Sequence, residues 1–180
     1  MGPTESLRPS SSRVIAAAVA TCCVVAVVVV LVSGATLAAA LRAVGIAGLV
    51  TALAWALYWR PEVEVSDGGI RVVNPWRTVH VPWPALESVD ERWSFAVRTT
   101  QGRRVSAFAA PARGLADRGP GVASRAASLV TERRAQLRSA GFLDDVRPEG
   151  APVTVEFARG PLVAVAVALV LLGAGVLLPG

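Results

Sequence analysis

The sequence predicts a membrane protein of the α+β class, in which apolar helices flank a small antiparallel β-domain carrying one amphipathic helix. Three observations lead there. The first is composition: of 180 residues, 53% are apolar and only 17% charged, against about 25% charged in an ordinary soluble domain. The second is where the charge lies. Residues 14–59 and 161–180 hold one charged side chain, Arg42, whereas residues 60–160 hold 15 Arg and 12 Asp or Glu. The third is a change of period inside that middle stretch, from short alternating runs to a single helical stripe.

The same facts exclude several classes. Cys22 and Cys23 are the only cysteines and sit side by side in an apolar run, which rules out a disulfide framework. His80 is the only histidine, so a Cys/His zinc site lacks its ligands and no cofactor is expected. All 18 basic residues are Arg, which reads as genomic composition bias rather than chemistry. The middle stretch has a net charge of 15 minus 12, or +3. That is too mild for nucleic acid, and no basic run with interleaved aromatics appears.

Taken in order, residues 1–13 form a polar N-terminal tail. Residues 14–32 form the first span, uncharged and about 28 Å long as a helix, close to a bilayer core of about 30 Å. It exceeds the roughly 7–15 apolar residues of a signal peptide, so it reads as retained despite the small-x-small triplet Ser33-Gly34-Ala35. Thr21 is large for a lipidation site at Cys22, and the run continues past it, so both cysteines read as small buried helix residues. Residues 36–59 form the second span. The breaker pair Gly160-Pro161 opens the third, residues 161–180.

Arginine placement sets the orientation. Arg8, Arg13 and Arg60 lie on one side, and only Arg42, which can snorkel, lies near the other. The N-terminus and residues 60–160 are therefore expected in the cytoplasm and the C-terminus outside, in a multi-pass protein of the plasma membrane. Trp55, Tyr58, Trp59 and Arg60 form an anchor at the inner interface. Gly48, Ala52 and Ala56, spaced by four, suit close helix approach; chance spacing in an Ala-rich helix explains them equally well.

Between the spans, residues 60–141 form the soluble domain. Glu62 to Ser66 alternate, Asp67-Gly68-Gly69 turns with glycines suited to positive φ, and Ile70 to Val73 complete a hairpin. Asn74-Pro75 breaks it. Thr78 to Val81 alternate again until Pro82-Trp83-Pro84, whose prolines cannot donate to a ladder. Strands follow at Leu86 to Glu91, Trp93 to Thr100 and, after the Gln101-Gly102 turn, Arg103 to Ala109. About six short strands with such turns suit a small antiparallel barrel or sandwich. From Val122 to Ala140 the apolar positions Val122, Ala126, Leu129, Val130 and Leu137 share one helical face, and Gly141 is a natural cap. Residues 142–160 read as a linker with a candidate strand at Val153 to Phe157.

This order of features resembles the bacterial pleckstrin-homology-like (PH-like) domains of small actinobacterial membrane proteins, the family named after low molecular weight protein antigen 6. The residues that carry the resemblance are Arg60-Pro61, Val63-Glu64-Val65, Asp67-Gly68-Gly69-Ile70, Val72-Val73-Asn74, Val81-Pro82-Trp83, Leu86-Glu87-Ser88-Val89 and Thr100-Gln101-Gly102. They span roughly residues 60–111. The resemblance implies a PH-like antiparallel β-barrel, partly open and closed by one amphipathic α-helix, with no catalytic residues. A third, C-terminal span departs from the family pattern of two.

Catalysis is not expected. His80 alternates outward on a strand without an orienting carboxylate, Ser94 and Ser106 lack an elbow motif, and the pairs Asp90-Glu91 and Asp144-Asp145 would face opposite sides of a strand. No specific phosphoinositide site is expected either, because the hairpin turn Asp67-Gly68-Gly69 is short and acidic. Arg71, Arg77, Arg92, Arg98, Arg103 and Arg104 leave non-specific attraction to anionic lipid as the alternative. The favoured expectation is a non-enzymatic protein-interaction or scaffold module with a membrane-protein partner. Of Trp76, Trp83 and Trp93, Trp76 is the candidate partner contact because it lies in a turn.

Overall fold

The computed structural model describes residues 4–8, 10–92, 94–111, 121–143 and 152–179. The chain divides into two units: Met1–Pro9 with Pro61–Phe157, and Ser10–Arg60 with Ala158–Gly180.

The second unit is three helices, each long and apolar enough to cross a membrane. They are α1 (Ser10–Val32), α2 (Leu37–Ala54), which runs on as a π-helical turn through Trp55–Trp59, and α4 (Arg159–Leu177). Thr36 caps α2, its hydroxyl accepting from the Ala39 amide at 3.3 Å. Gly160 and Pro161, expected to precede the third helix, lie inside its first turn. Proline is tolerated there because that N–H has no intrahelical acceptor anyway.

Helices α2 and α4 pack closely, and glycine permits it. A Cβ on Gly45 would lie 2.6 Å from the Leu172 amide nitrogen, and one on Gly175 would lie 2.7 Å from that of Arg42. Of the expected small stripe, Ala52 and Ala56 are buried. A Cβ on Gly48 would only reach ordinary contact with Ala168, at 3.5 Å. Close approach is thus real, but centred on Gly45 and Gly175. Arg42 completes the seam: its Nε donates to the Gly175 carbonyl at 2.7 Å. A carbonyl in the last turn of a helix has no intrahelical donor, so the lone charge of the span satisfies the partial negative end of α4.

The first unit contains two antiparallel sheets. The larger has the order β1-β2-β3-β4-β8, made of Glu5–Leu7, Glu62–Ser66, Gly69–Val73, Arg77–Val81 and Thr154–Phe157. The smaller has the order β5-β6-β7, made of Leu86–Asp90, Ser94–Thr99 and Arg104–Pro111. Helix α3 (Val122–Ser139) contributes Ala123, Ala126 and Val130 to a core with Val63, Ile70, Val79, Trp83, Phe95 and Val105. It ends in a Schellman motif, with the Gly141 amide on the Arg138 carbonyl and the Phe142 amide on that of Leu137, both at 3.0 Å.

The expected β-barrel is corrected here: among the described residues the two sheets do not join into one. Pro82 caps a 3₁₀ turn, Trp83–Ala85, and Pro84 lies within it; neither proline can donate to a ladder, and the turn redirects the chain between β4 and β5. The outer edges of β2 and β4 are then taken by β1, drawn from the expected tail, and by β8, which lies where a candidate strand was expected within the linker. Gly69 is needed for a different reason than a turn alone supplies. Its φ is +142°, and a Cβ would meet the Val81 carbonyl oxygen at 2.4 Å.

Gly45→Ala is expected to spread α2 from α4 and cost on the order of 1–3 kcal/mol, seen as a lower thermal midpoint of the full chain in micelles. Ala47→Gly, at a half-buried position of the same helix, lowers helix propensity and removes one methyl without crowding the seam, and is the reference substitution.

Candidate functional site

The candidate site lies at one end of the larger sheet, and the ladder registers define it. Leu7 pairs with Val63, Glu62 with Val73, Val73 with Thr78, and Arg77 with Phe157. These pairs fall in three adjacent rows at the same end of the sheet. The chain passes between the two units at 9–10, 60–61 and 157–158, and the strands nearest all three passages, β1, β2 and β8, reach them from this end. The Asp67-Gly68 turn and Thr154 lie at the opposite end.

The β3–β4 turn at this end is held by Asn74. The residue is buried, and its side-chain amide spans the two sheets: Nδ2 donates to the Ser106 carbonyl at 2.9 Å, and Oδ1 accepts from the Phe108 amide at 2.8 Å. The Asn74 amide itself donates to the Arg77 carbonyl at 2.8 Å, closing the turn. This residue was legible only as a breaker, since its partners lie far along the chain. The turn presents Trp76, which is 37% exposed, beside exposed Arg77. Phe157, opposite Arg77, is 73% exposed. Phe108 is also exposed; buried Ala107 and Ala109 on either side mean that it faces away from the core.

An ion pair between Arg8 and Glu62 lies at the same end. Glu62 is buried, and pairing removes the cost of an isolated carboxylate there. At the opposite end Arg133, an α3 residue with no expected role, reaches Asp67 at 3.5 Å and Glu5 at 3.8 Å. The hairpin turn is therefore engaged by its own helix. Arg71 pairs with Glu64 and Arg104 with Asp90, each at 3.1 Å, while Arg77, Arg92, Arg98 and Arg103 are exposed.

In the helical unit, Trp55, Tyr58 and Trp59 are each about two-fifths exposed and Arg60 is half-buried. The structure adds Arg13, whose guanidinium stands 5.3 Å from the Trp59 ring centroid, a cation–π distance. Gly160 reaches this cluster too, since a Cβ there would lie 3.2 Å from Trp55 Cη2. The start of α1, the end of the π turn and the start of α4 thus share one end of the three-helix unit.

The residues weighed for catalysis have structural partners. The hydroxyls of Ser94 and Ser106 bond each other at 2.8 Å. Asp90 accepts from the Arg92 amide at 3.1 Å besides pairing with Arg104. His80 is half-buried on β4. Trp83 is core, its indole N–H donating to the Ser66 carbonyl at 3.0 Å. Trp93 and the Asp144-Asp145 pair lie outside the described residues. Among the described residues no three His, Cys, Asp or Glu side chains converge as metal ligands would.

The first unit is two antiparallel sheets with helix α3 packed on their core. Residues 60–138 match the family model described as Bacterial PH domain, and this stretch is similar to that family. No curated protein and no solved structure matches the chain.

Asn74→Ala removes both bonds, to the Ser106 carbonyl and the Phe108 amide, each part-buried and each worth about 1 kcal/mol. The expected result is a drop in the unfolding midpoint of the full chain, with faster amide exchange at Phe108. Asn74→Asp keeps the acceptor and loses the donor, so it is expected to fall between the two.

Proposed function

We propose that the chain is a non-enzymatic multi-pass protein of the plasma membrane whose PH-like domain is a protein-interaction module on the cytoplasmic side. Support for the membrane part comes from the exposed side chains of the three helices, among them Val24, Val29, Val32, Val170 and Leu177. Water would penalise each of these surfaces, and a bilayer would not. The arginines at the Trp59 end favour that end as the inner one.

The observation that carries the interaction reading is the outer edge of β5. It is the end strand of the smaller sheet, and among the described residues nothing pairs with that side. Arg134 of α3 donates to the Leu86 carbonyl at 3.1 Å, so helix and strand bracket a strip on which Glu87 and Ser88 are exposed. An extended peptide added to such an edge gains main-chain hydrogen bonds without a preformed pocket. Arg134 and Arg138 line a shallow cleft further along α3, which favours a segment with acidic side chains.

A photo-crosslinking residue at Ser88 in the full chain is expected to capture one recurrent membrane protein in native membranes. The same residue at Gly68 is expected not to. Equal capture at both positions, or none at Ser88, rejects the β5 edge as the contact. Soluble inositol phosphates are expected to leave the melting temperature of the full chain unchanged, because Asp67 and its partner Arg133 occupy the turn where a phosphate would have to bind. A rise on titration would reject that expectation.

A further inference from the structure

We propose that the Trp76 end of the larger sheet is a membrane-contact lip whose aromatic side chains rest in the lipid headgroup layer. The inference depends on the reading that the three helices span a bilayer, and it assigns Trp76 to lipid rather than to a protein partner.

Connectivity carries it first. Leu7 lies three residues before α1, Glu62 three after the π turn and Phe157 two before α4. At no more than about 3.6 Å per residue, each tether is shorter than roughly 11 Å. All three tethers leave strands β1, β2 and β8 from the same end of the sheet, so this end carries every covalent link to the three helices.

Composition carries it second. This end presents Trp76 and Phe157, 37% and 73% exposed, with Phe108, 55% exposed, on the strand held against the turn by Asn74. Large exposed aromatics on a small domain need a covering surface, and aromatic rings beside arginine suit the headgroup region, where a ring has an apolar bed and a charged head keeps water. Arg77 stands beside Trp76 and opposite Phe157. The acids of this end are few: Glu62 is paired with Arg8, and Glu156, opposite Thr78, is exposed.

Rigidity carries it third. A lip on a loose loop would lose its order on docking, whereas Asn74 ties this turn to the second sheet through both ends of its amide. The turn at the other end, Asp67-Gly68, is acidic and bound to Arg133. A lipid contact is thus assigned to the end opposite that hairpin tip.

The test uses the full chain with Cys22 and Cys23 replaced by Ala, reconstituted in phosphatidylcholine–phosphatidylglycerol vesicles. Single cysteines are introduced as Trp76→Cys, Phe157→Cys, Gly68→Cys and Val25→Cys, and each carries an environment-sensitive fluorophore. Gly68 has room for the change, since a Cβ there meets only the Ser66 hydroxyl at 3.9 Å. Quenching by lipids spin-labelled near the headgroup is expected to be severalfold stronger at 76 and 157 than at 68. Lipids labelled deep in the chain are expected to quench the label at 25. If 76 and 157 are quenched no more than 68 while 25 is quenched, the lip is overturned and the spanning reading stands. If 25 also escapes deep quenching, the spanning reading fails and takes the lip with it. Trp76 and Phe157 are both exposed, so a folding defect peculiar to one variant does not decide the result.

Discussion

The side-chain amide of Asn74 is the contact on which the organisation of the β-domain turns. Among the described residues the two sheets share no ladder, so their registry rests on core packing and on the polar groups that reach across. Asn74 supplies a donor and an acceptor at once, to the Ser106 carbonyl and the Phe108 amide. A buried amide with both ends satisfied specifies one arrangement, because any slip of β7 leaves polar groups unpaired. The same contact sets the direction of the β3–β4 turn and therefore of Trp76.

A second constraint is topological. The chain leaves the larger sheet three times from one end, and in the helical unit the start of α1, the end of the π turn and the start of α4 share one end. Strands β1 and β8 are each only a few residues long, and each uses an edge that β2 or β4 would otherwise leave open. Occupied edges also lower the risk of pairing between copies. What remains open among the described residues is on the smaller sheet, where the proposed partner strip lies.

The helical unit relies on close approach rather than on apolar bulk. Most valines of these helices are exposed, so the contact between α2 and α4 rests on small residues. Gly45 and Gly175 bring backbones together, and the Arg42 guanidinium is satisfied by the carbonyl end of α4. The third helix is therefore an integral part of the unit and not merely a second tether.

The sequence by itself determined the elements that depend on neighbours in the chain. Apolar run length marks the three helices, alternation around Asp67-Gly68 marks the β2–β3 hairpin, and the helical period with Gly141 marks α3, because these signals are local. That Trp55, Tyr58 and Trp59 lie close together was legible for the same reason. Only the tertiary structure decided the rest. Glu5–Leu7 has too few residues to show a period and is a strand because β2 offers an edge. Among the described residues the barrel did not close, because two prolines and two borrowed strands used the edges first. Asn74, Arg42 and Arg133 carry ordinary polar side chains whose partners lie far along the chain, and no local pattern encodes a partner that only folding brings near.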